Sequence, residues 1–116
     1  MISLRPIILA ASLALAAPTM AAETAAEGPS FDQKLAACAA CHGENGAKPI
    51  MAEYPIIAGQ YADYLATALR AYRDGRRNNV VMASQLQALQ LTDSDIDRLA
   101  DHFSKQASPL AVPKAR

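Results

Sequence analysis

The sequence predicts an all-α protein, a small domain of three to five helices. Apolar residues recur every three or four positions in several segments, which is the spacing of one face of a helix. Helix-capping residues stand before these segments and glycines after them, and no segment shows the alternation expected of a strand. A chain of 116 residues is long enough for one such domain.

The composition leaves the expected core short of large side chains. The hydrophobic fraction is 52%, but 26 residues are alanine, only 5% are aromatic and there is no tryptophan. Because small domains bury a marginal fraction of their surface, we expect another source of apolar bulk. The formal net charge is zero, which gives no electrostatic basis for nucleic-acid binding.

Residues 1–22 are typical of a secretory signal peptide. A single charge, Arg5, precedes a run of Ile, Leu and Ala, and small residues follow, with cleavage expected after Ala21 or Ala22. The alternative is an uncleaved anchor, but a membrane span needs about 20 apolar residues and two prolines interrupt this segment. Export indicates an oxidising compartment, and we expect the periplasm.

Three segments are expected after the signal peptide. Residues 23–29 end in Gly-Pro and predict a flexible leader. Residues 30–106 carry the helical patterns and predict the folded domain. Residues 107–116 contain two prolines and predict an irregular tail.

Capping patterns mark the first and last helices. Ser30 with Gln33 three positions later forms a capping-box pattern, and Gly43 is the expected end of that helix. Thr92 is expected to cap the last helix, whose first turn is acidic, as the helix dipole favours. The buried face of this last helix is predicted to be Ile96, Leu99, Ala100 and Phe103.

Two further helices are expected between these. Residues 43–59 contain repeated Gly and Pro and predict a loop. Residues 60–74 predict a second helix, and after a basic loop over 75–82 a short third helix is expected over 83–90. The apolar face of the second helix is predicted to be Tyr61, Tyr64, Leu65, Ala68, Leu69 and Tyr72.

Cys38, Cys41 and His42 form a C-x-x-C-H sequence, the attachment signature of c-type haem. Residues at i, i+3 and i+4 share one helix face, so all three can address one flat ring. The two thiols would form thioethers with the porphyrin, and the imidazole would reach the iron as proximal ligand. A buried haem would supply the missing apolar bulk, so we expect the domain to lose its native packing without it.

Other interpretations of the C-x-x-C-H sequence have less support. A structural zinc site needs about four ligands, and an iron–sulfur cluster typically needs four cysteines, but the chain has two cysteines and two histidines. A thioredoxin-like pair expects a βαβ context, which the sequence lacks. A disulfide between Cys38 and Cys41 remains possible, but it would not account for His42.

The second axial ligand has three candidates after the motif. Met51 follows His42 by only nine residues, which is a tight path around the ring. Met82 lies 40 residues beyond His42, far enough for the chain to return on the other face. His102 lies outside the predicted buried face of the last helix and is expected to face solvent. Met82 is therefore the predicted ligand, with filling of a core gap as the alternative.

With these residues placed, the chain resembles class I c-type cytochromes, in particular a single-haem half of the bacterial cytochrome c4 type. The resemblance covers residues 31–104. Its one clear departure is that c4-type proteins carry two such domains and this chain has one motif. The matching stretches are 38–46 (CAACHGENG), 54–65 (YPIIAGQYADYL), 73–79 (RDGRRNN) leading to Met82, and 91–96 (LTDSDI) with Leu99 and Ala100.

The resemblance implies a set of residue roles. Cys38 and Cys41 would bind one haem c covalently, and His42 and Met82 would be its iron ligands. Pro55 matches a loop proline whose carbonyl accepts a hydrogen bond from the proximal histidine. The first and last helices would cross. The implied function is one-electron transfer between redox proteins in transient contact, without catalysis.

Two alternative functions and one charged cluster stay open. The chain could be a haem subunit of a larger periplasmic oxidoreductase, or a ligand-binding haem protein with an open sixth site. Several aspartates are expected to lie apart from the basic cluster, which would make the surface charge asymmetric. This cluster could pair with haem propionates or an acidic partner, or simply be solvated, and it consists of Arg70, Arg73, Arg76 and Arg77.

Overall fold

The computed structural model describes residues 27–110, and these form an all-helical domain. The predicted signal peptide over 1–22, most of the predicted leader and the end of the predicted tail lie outside the described residues. The four helices are α1 (Phe31–His42), α2 (Ala62–Arg73), α3 (Val80–Ala88) and α4 (Asp93–Ser104). A short 3-10 turn, Glu44–Gly46, follows α1.

Reciprocal side-chain caps begin both α1 and α4. The Ser30 side chain accepts from the Gln33 backbone N–H, and the Gln33 side chain accepts from the Ser30 N–H. Thr92 and Asp95 make the same pair of bonds at the start of α4. Each arrangement satisfies helix N–H groups that have no partner within the helix. Both predicted helix starts are confirmed.

Helix α4 is the centre of the hydrophobic core. The predicted buried face of α4 is confirmed, with Ile96 fully buried and Leu99 and Ala100 1% exposed. Helix α4 packs most extensively against α2, and α2 also packs against α3. Around the buried cluster lie the partly buried side chains Phe31, Leu35, Cys38, Ile57, Leu69, Tyr72, Met82 and Leu89.

A buried ion pair joins α1 to α4. Lys34 Nζ donates to Asp95 Oδ2 at 2.7 Å, and their side chains are only 9% and 12% exposed. The same carboxylate accepts from the Thr92 N–H and hydroxyl, so the pair is satisfied on the Asp95 side. Nearby, the Arg98 guanidinium lies 3.6 Å above the centre of the Phe31 ring. These contacts bring the first half of α1 against the first half of α4.

The third helix starts earlier than the sequence predicts. The Asn79 side chain accepts from the Met82 N–H at 2.9 Å and so caps a helix that begins at Val80. Met82 therefore lies in the first turn of α3 and not at the end of a loop. The helix also ends earlier than predicted, because Gln90 adopts a left-handed backbone with φ of 50°.

The predicted apolar face of α2 is partly wrong. Leu65 is buried and Tyr72 packs against the core, as predicted. Tyr61 and Tyr64, however, are 79% and 51% exposed. Tyr61 precedes the first residue of α2, which begins at Ala62, so helical spacing does not fix its direction.

Replacement of Asp95 by Asn tests the buried ion pair. The substituted amide would keep an acceptor for Thr92 but leave the Lys34 ammonium buried without an anion. We expect the free energy of unfolding to fall by roughly 3–5 kcal/mol, which is the usual cost of removing one partner of a buried ion pair. The measurement is denaturant unfolding of the mature protein at pH 7.

Asp101→Asn is the matched control for this substitution. Asp101 also accepts from a lysine at 2.7 Å, but the side chains of Lys105 and Asp101 are 70% and 57% exposed. Because solvent screens such a pair, we expect a loss below about 1 kcal/mol. Equal losses for the two variants would contradict the account of the buried pair.

The stability of the protein is also expected to depend on this pair at acid pH. The hydrogen bond from Lys34 lowers the pKa of Asp95 from 3.8 to about 2 in the folded protein. Between these values the unfolded chain binds more protons, so the free energy of unfolding falls as the pH falls. We expect Asp95→Asn to flatten this fall between pH 4 and 2, measured by unfolding at several pH values. An unchanged slope would contradict the assignment.

Candidate functional site

The last turn of α1 carries the three residues of the motif. Cys38, Cys41 and His42 follow one another along the helix that ends at His42. Both cysteines are half-buried, and no disulfide joins them. The Gly43 N–H donates to the Ala39 carbonyl at 2.8 Å and closes the helix directly after the histidine. The motif is therefore held in a regular helix up to its last residue.

Cys38 faces the hydrophobic core. It packs against the buried cluster that α2 and α4 form. Burial raises the pKa of the Cys38 thiol to about 11, so the free thiol stays protonated at neutral pH. This side of α1 is the one that an apolar ring bound to the cysteine would share with the core.

His42 is buried and its ring orientation is fixed. The residue is 7% exposed, and its Nδ1 lies 2.8 Å from the Pro55 carbonyl oxygen. A carbonyl can only accept, so Nδ1 is the donor, and in the neutral tautomer that makes this bond Nε2 keeps a lone pair. Such a bond to the other ring nitrogen is the usual partner of a metal-ligating histidine. The donor chemistry of the site thus fits a metal ion on Nε2.

Backbone hydrogen bonds hold the loop that supplies the Pro55 carbonyl. The Gly46 carbonyl accepts from the N–H groups of Ile57 and Ala58 at 2.9 and 3.1 Å. The Gly59 N–H donates to the Phe103 carbonyl on α4 at 2.9 Å. The segment directly after Pro55, residues 57–59, is therefore tied both to the 3-10 turn and to α4.

The three candidates for a second axial ligand lie in different surroundings. Met82 is half-buried and packs against the same core cluster as Cys38. Met51 is 50% exposed on the loop. His102 is half-buried on α4, where its ring packs edge-on against Phe103 at a centroid distance of 5.1 Å.

Tyr54 is a neighbour of His42 that the sequence reasoning missed. The centres of the two rings are 6.3 Å apart. Tyr54 directly precedes Pro55 in the sequence, and this was the signal that could have indicated it. A residue next to the one whose carbonyl binds His42 must itself lie near His42. Beside Tyr54 is a shallow depression of about 290 Å³, lined by Pro49, Ile50, Met51, Ala52, Tyr54 and Ile56.

The prediction that aspartates lie apart from the basic cluster at the end of α2 is wrong. Arg70 pairs with Asp97 at 2.7 Å, and Arg73 pairs with Asp93 at 2.9 Å. Asp74 receives hydrogen bonds from both Arg73 and Arg76. The aspartates thus lie against the arginines because α2 and α4 are neighbours, which the sequence order does not show. Arg77 lies over the Tyr72 ring at 4.8 Å, and it pairs with no acid among residues 27–110.

Comparison with known proteins identifies the family of this fold and site. The family model for cytochrome c matches residues 25–106. Cytochrome c-554(548) of Halomonas halodenitrificans is 36% identical over 85 residues, which are 71% of this chain and 99% of that protein. The chain belongs to the cytochrome c family.

Two longer relatives match the chain over only part of their own length. A thiosulfate dehydrogenase electron acceptor of Thiomonas intermedia is 42% identical over 62% of this chain and 32% of that protein. Cytochrome c4 of Stutzerimonas stutzeri is 35% identical over 66% of this chain and 37% of that protein. The chain spans about a third of these two relatives.

Family membership establishes the cofactor and the class of function. The chain is a class I c-type cytochrome that resembles cytochrome c4. It binds haem c covalently and is an electron carrier, not an enzyme. The donor set of α1 and the bond from His42 to Pro55 fit this cofactor.

Replacement of Gly46 by Ala tests the loop that holds His42. A Cβ at this position would lie 2.5 Å from Ile57 Cγ1 and 2.9 Å from Phe103 Cδ1, and φ is +71°. We expect a loss of stability and a weaker bond from His42 to Pro55. The measurements are denaturant unfolding and the exchange rate of the His42 Nδ1 proton in the reduced protein.

Gly75→Ala is the matched control for the Gly46 variant. Gly75 has φ of +75°, but its Cβ would meet nothing within 4 Å. Both variants share a backbone penalty of about 1–2 kcal/mol, so their difference isolates the steric clash. We expect Gly46→Ala to cost about 1–3 kcal/mol more than Gly75→Ala. Equal losses of stability in the two variants would show that the loop accommodates the added Cβ without a steric clash, which would contradict this account.

Proposed function

We propose that the protein is a periplasmic monohaem cytochrome c that shuttles single electrons between redox proteins. Cys38 and Cys41 would hold the haem as thioethers, and His42 and Met82 would bind its iron. When bound, the haem supplies an iron that cycles between two oxidation states. The observation that carries the proposal is the 2.8 Å bond that fixes the His42 ring within the C-x-x-C-H turn.

The bond to Pro55 serves two purposes in this proposal. It holds the His42 imidazole in one orientation, so little rearrangement accompanies a change of iron charge. It also makes the imidazole a stronger electron donor, since the Nδ1 proton is shared with a carbonyl oxygen. Burial of His42 excludes water from the proximal side and favours a ligand that stays in place.

Met82 is the proposed second ligand because of where α3 begins. The Asn79 cap fixes the first turn of α3, and Met82 lies in that turn against the core that Cys38 also contacts. Met51 is half exposed on the other loop. A thioether ligand raises the reduction potential relative to a second imidazole. It would also fill the sixth coordination position of the iron, which a ligand-binding haem keeps open.

The proposed location rests on the N-terminal sequence. The pattern of residues 1–22 supports export by a cleaved signal peptide. Among residues 27–110, no helix combines the length and apolar character required to cross the membrane. Attachment of haem to Cys38 and Cys41 would also keep both thiols from forming disulfides in an oxidising compartment.

The proposed partners are redox proteins in short-lived contact. Short-lived contacts between redox proteins typically bury small interfaces. Arg70, Arg73 and Arg76 pair with aspartates of this chain, so the surface around them has little unbalanced charge. A second candidate is electron uptake from one dedicated dehydrogenase. The 42% identity to a thiosulfate dehydrogenase electron acceptor favours that candidate.

Replacement of Met82 by Ala tests the second ligand. We expect the oxidised variant to lose the near-infrared band of sulfur-to-iron charge transfer and the reduced variant to bind carbon monoxide rapidly. The reason is that the iron would lose its thioether and gain an open position. Absorption spectroscopy of the purified oxidised and reduced proteins measures both effects.

Met51→Ala is the control for the ligand test. Met51 lies on the exposed loop, so this variant should keep the charge-transfer band and resist carbon monoxide as the unsubstituted protein does. Loss of the band in Met51→Ala with its retention in Met82→Ala would reverse the assignment. Rapid carbon monoxide binding by the unsubstituted protein would instead favour an open sixth site.

A further inference from the structure

A second pocket lies at the far end of α1 from the haem motif. It is open, has a volume of about 300 Å³, and sits between the start of α1 and the last turns of α4. Phe31 is the first residue of α1 and Cys38 lies seven residues later, so about 10 Å of helix separates this pocket from the start of the motif. Its lining consists of Phe31, Arg98, Asp101, His102, Lys105 and Gln106.

Basic side chains dominate this pocket. Arg98, His102 and Lys105 are spaced at i, i+4 and i+7 and share one face of α4. The single acid of the lining, Asp101, accepts from Lys105 Nζ at 2.7 Å. That ion pair balances one positive charge and leaves the Arg98 guanidinium unbalanced. The local field therefore favours an anion although the whole chain has no net charge.

Arg98 differs from the arginines at the end of α2. Arg70, Arg73 and Arg76 each pair with an aspartate, whereas Arg98 forms no ion pair within residues 27–110. Its guanidinium is held instead by the face of the Phe31 ring, at 3.6 Å from the ring centre. This contact orients the group without using its N–H donors. The planar guanidinium is thus available to bind two oxygens of one ligand.

His102 supplies a second donor in the same pocket. Its ring is half-buried and rests edge-on against Phe103, and its backbone carbonyl accepts from the Gln106 side chain. The imidazole lies one helical turn from Arg98 on the same face of α4. A ring N–H here can complete the contacts to a ligand that Arg98 holds.

We propose that this pocket is a binding site for a small oxyanion of the phosphate, sulfate or carboxylate type. The Arg98 guanidinium binds two of its oxygens, and His102 donates to a third or bridges to it. Lys105, shared with Asp101, adds charge at the rim. The site is independent of the haem ligands and of the electron-transfer function proposed above.

The test is a titration of the reduced, haem-containing protein followed by ¹H–¹⁵N NMR. Phosphate, sulfate and acetate are added separately at fixed pH, with sodium chloride holding the ionic strength constant. We expect saturable shifts of the Arg98 Nε–H and His102 signals at millimolar anion. The anion that saturates at the lowest concentration identifies the preferred oxyanion.

Three variants make the test specific. Arg98→Gln should weaken anion binding at least tenfold. Arg98→Lys keeps the positive charge over Phe31 but cannot bind two oxygens through a planar guanidinium, so it should weaken binding several-fold. Arg76→Gln is the control and should bind as the unsubstituted protein does, because Arg76 pairs with Asp74 away from the pocket. Shifts that rise linearly at every basic residue, or unchanged binding by Arg98→Gln, would overturn the proposal.

Discussion

The hydrogen bond from His42 to the Pro55 carbonyl is the interaction on which the site depends. A carbonyl partner on Nδ1 decides which ring nitrogen can face a metal ion, and it fixes the plane of the ring. The bond also joins two segments that are distant in the sequence, the end of α1 and the loop before α2. An electron carrier needs such a fixed ligand, because movement of the ligand during each electron transfer would raise the barrier.

The helices hold α1 and this loop in a fixed position relative to each other. Helix α4 provides the common support, since its Phe103 carbonyl anchors the loop at Gly59 and its Asp95 carboxylate binds Lys34 of α1. The described core has few large side chains, with Ile96 and Leu99 the largest that are fully buried. A haem bound to the motif of α1 would add apolar contact area where the chain itself provides little.

Much of the fold could be predicted from the sequence because its signals are local. The caps at Ser30 and Thr92 and the spacing of the motif depend on residues within four positions of one another. Interactions between distant segments were not predicted. The ion pairs of Arg70 with Asp97 and of Lys34 with Asp95 join residues 27 and 61 positions apart, and no local pattern indicates them. The predicted start of α3 at residue 83 is three residues late, because the predicted loop over 75–82 does not include a helix cap at Asn79.

Mass spectrometry of the exported protein tests the central claim most directly. After denaturation and acid extraction, the account predicts that the intact chain keeps the added mass of one haem, located on the peptide that contains residues 38–42. Cleavage after Ala21 or Ala22 would be visible in the same spectrum. A chain whose two cysteines are unmodified, or joined to each other as a disulfide, would contradict the account.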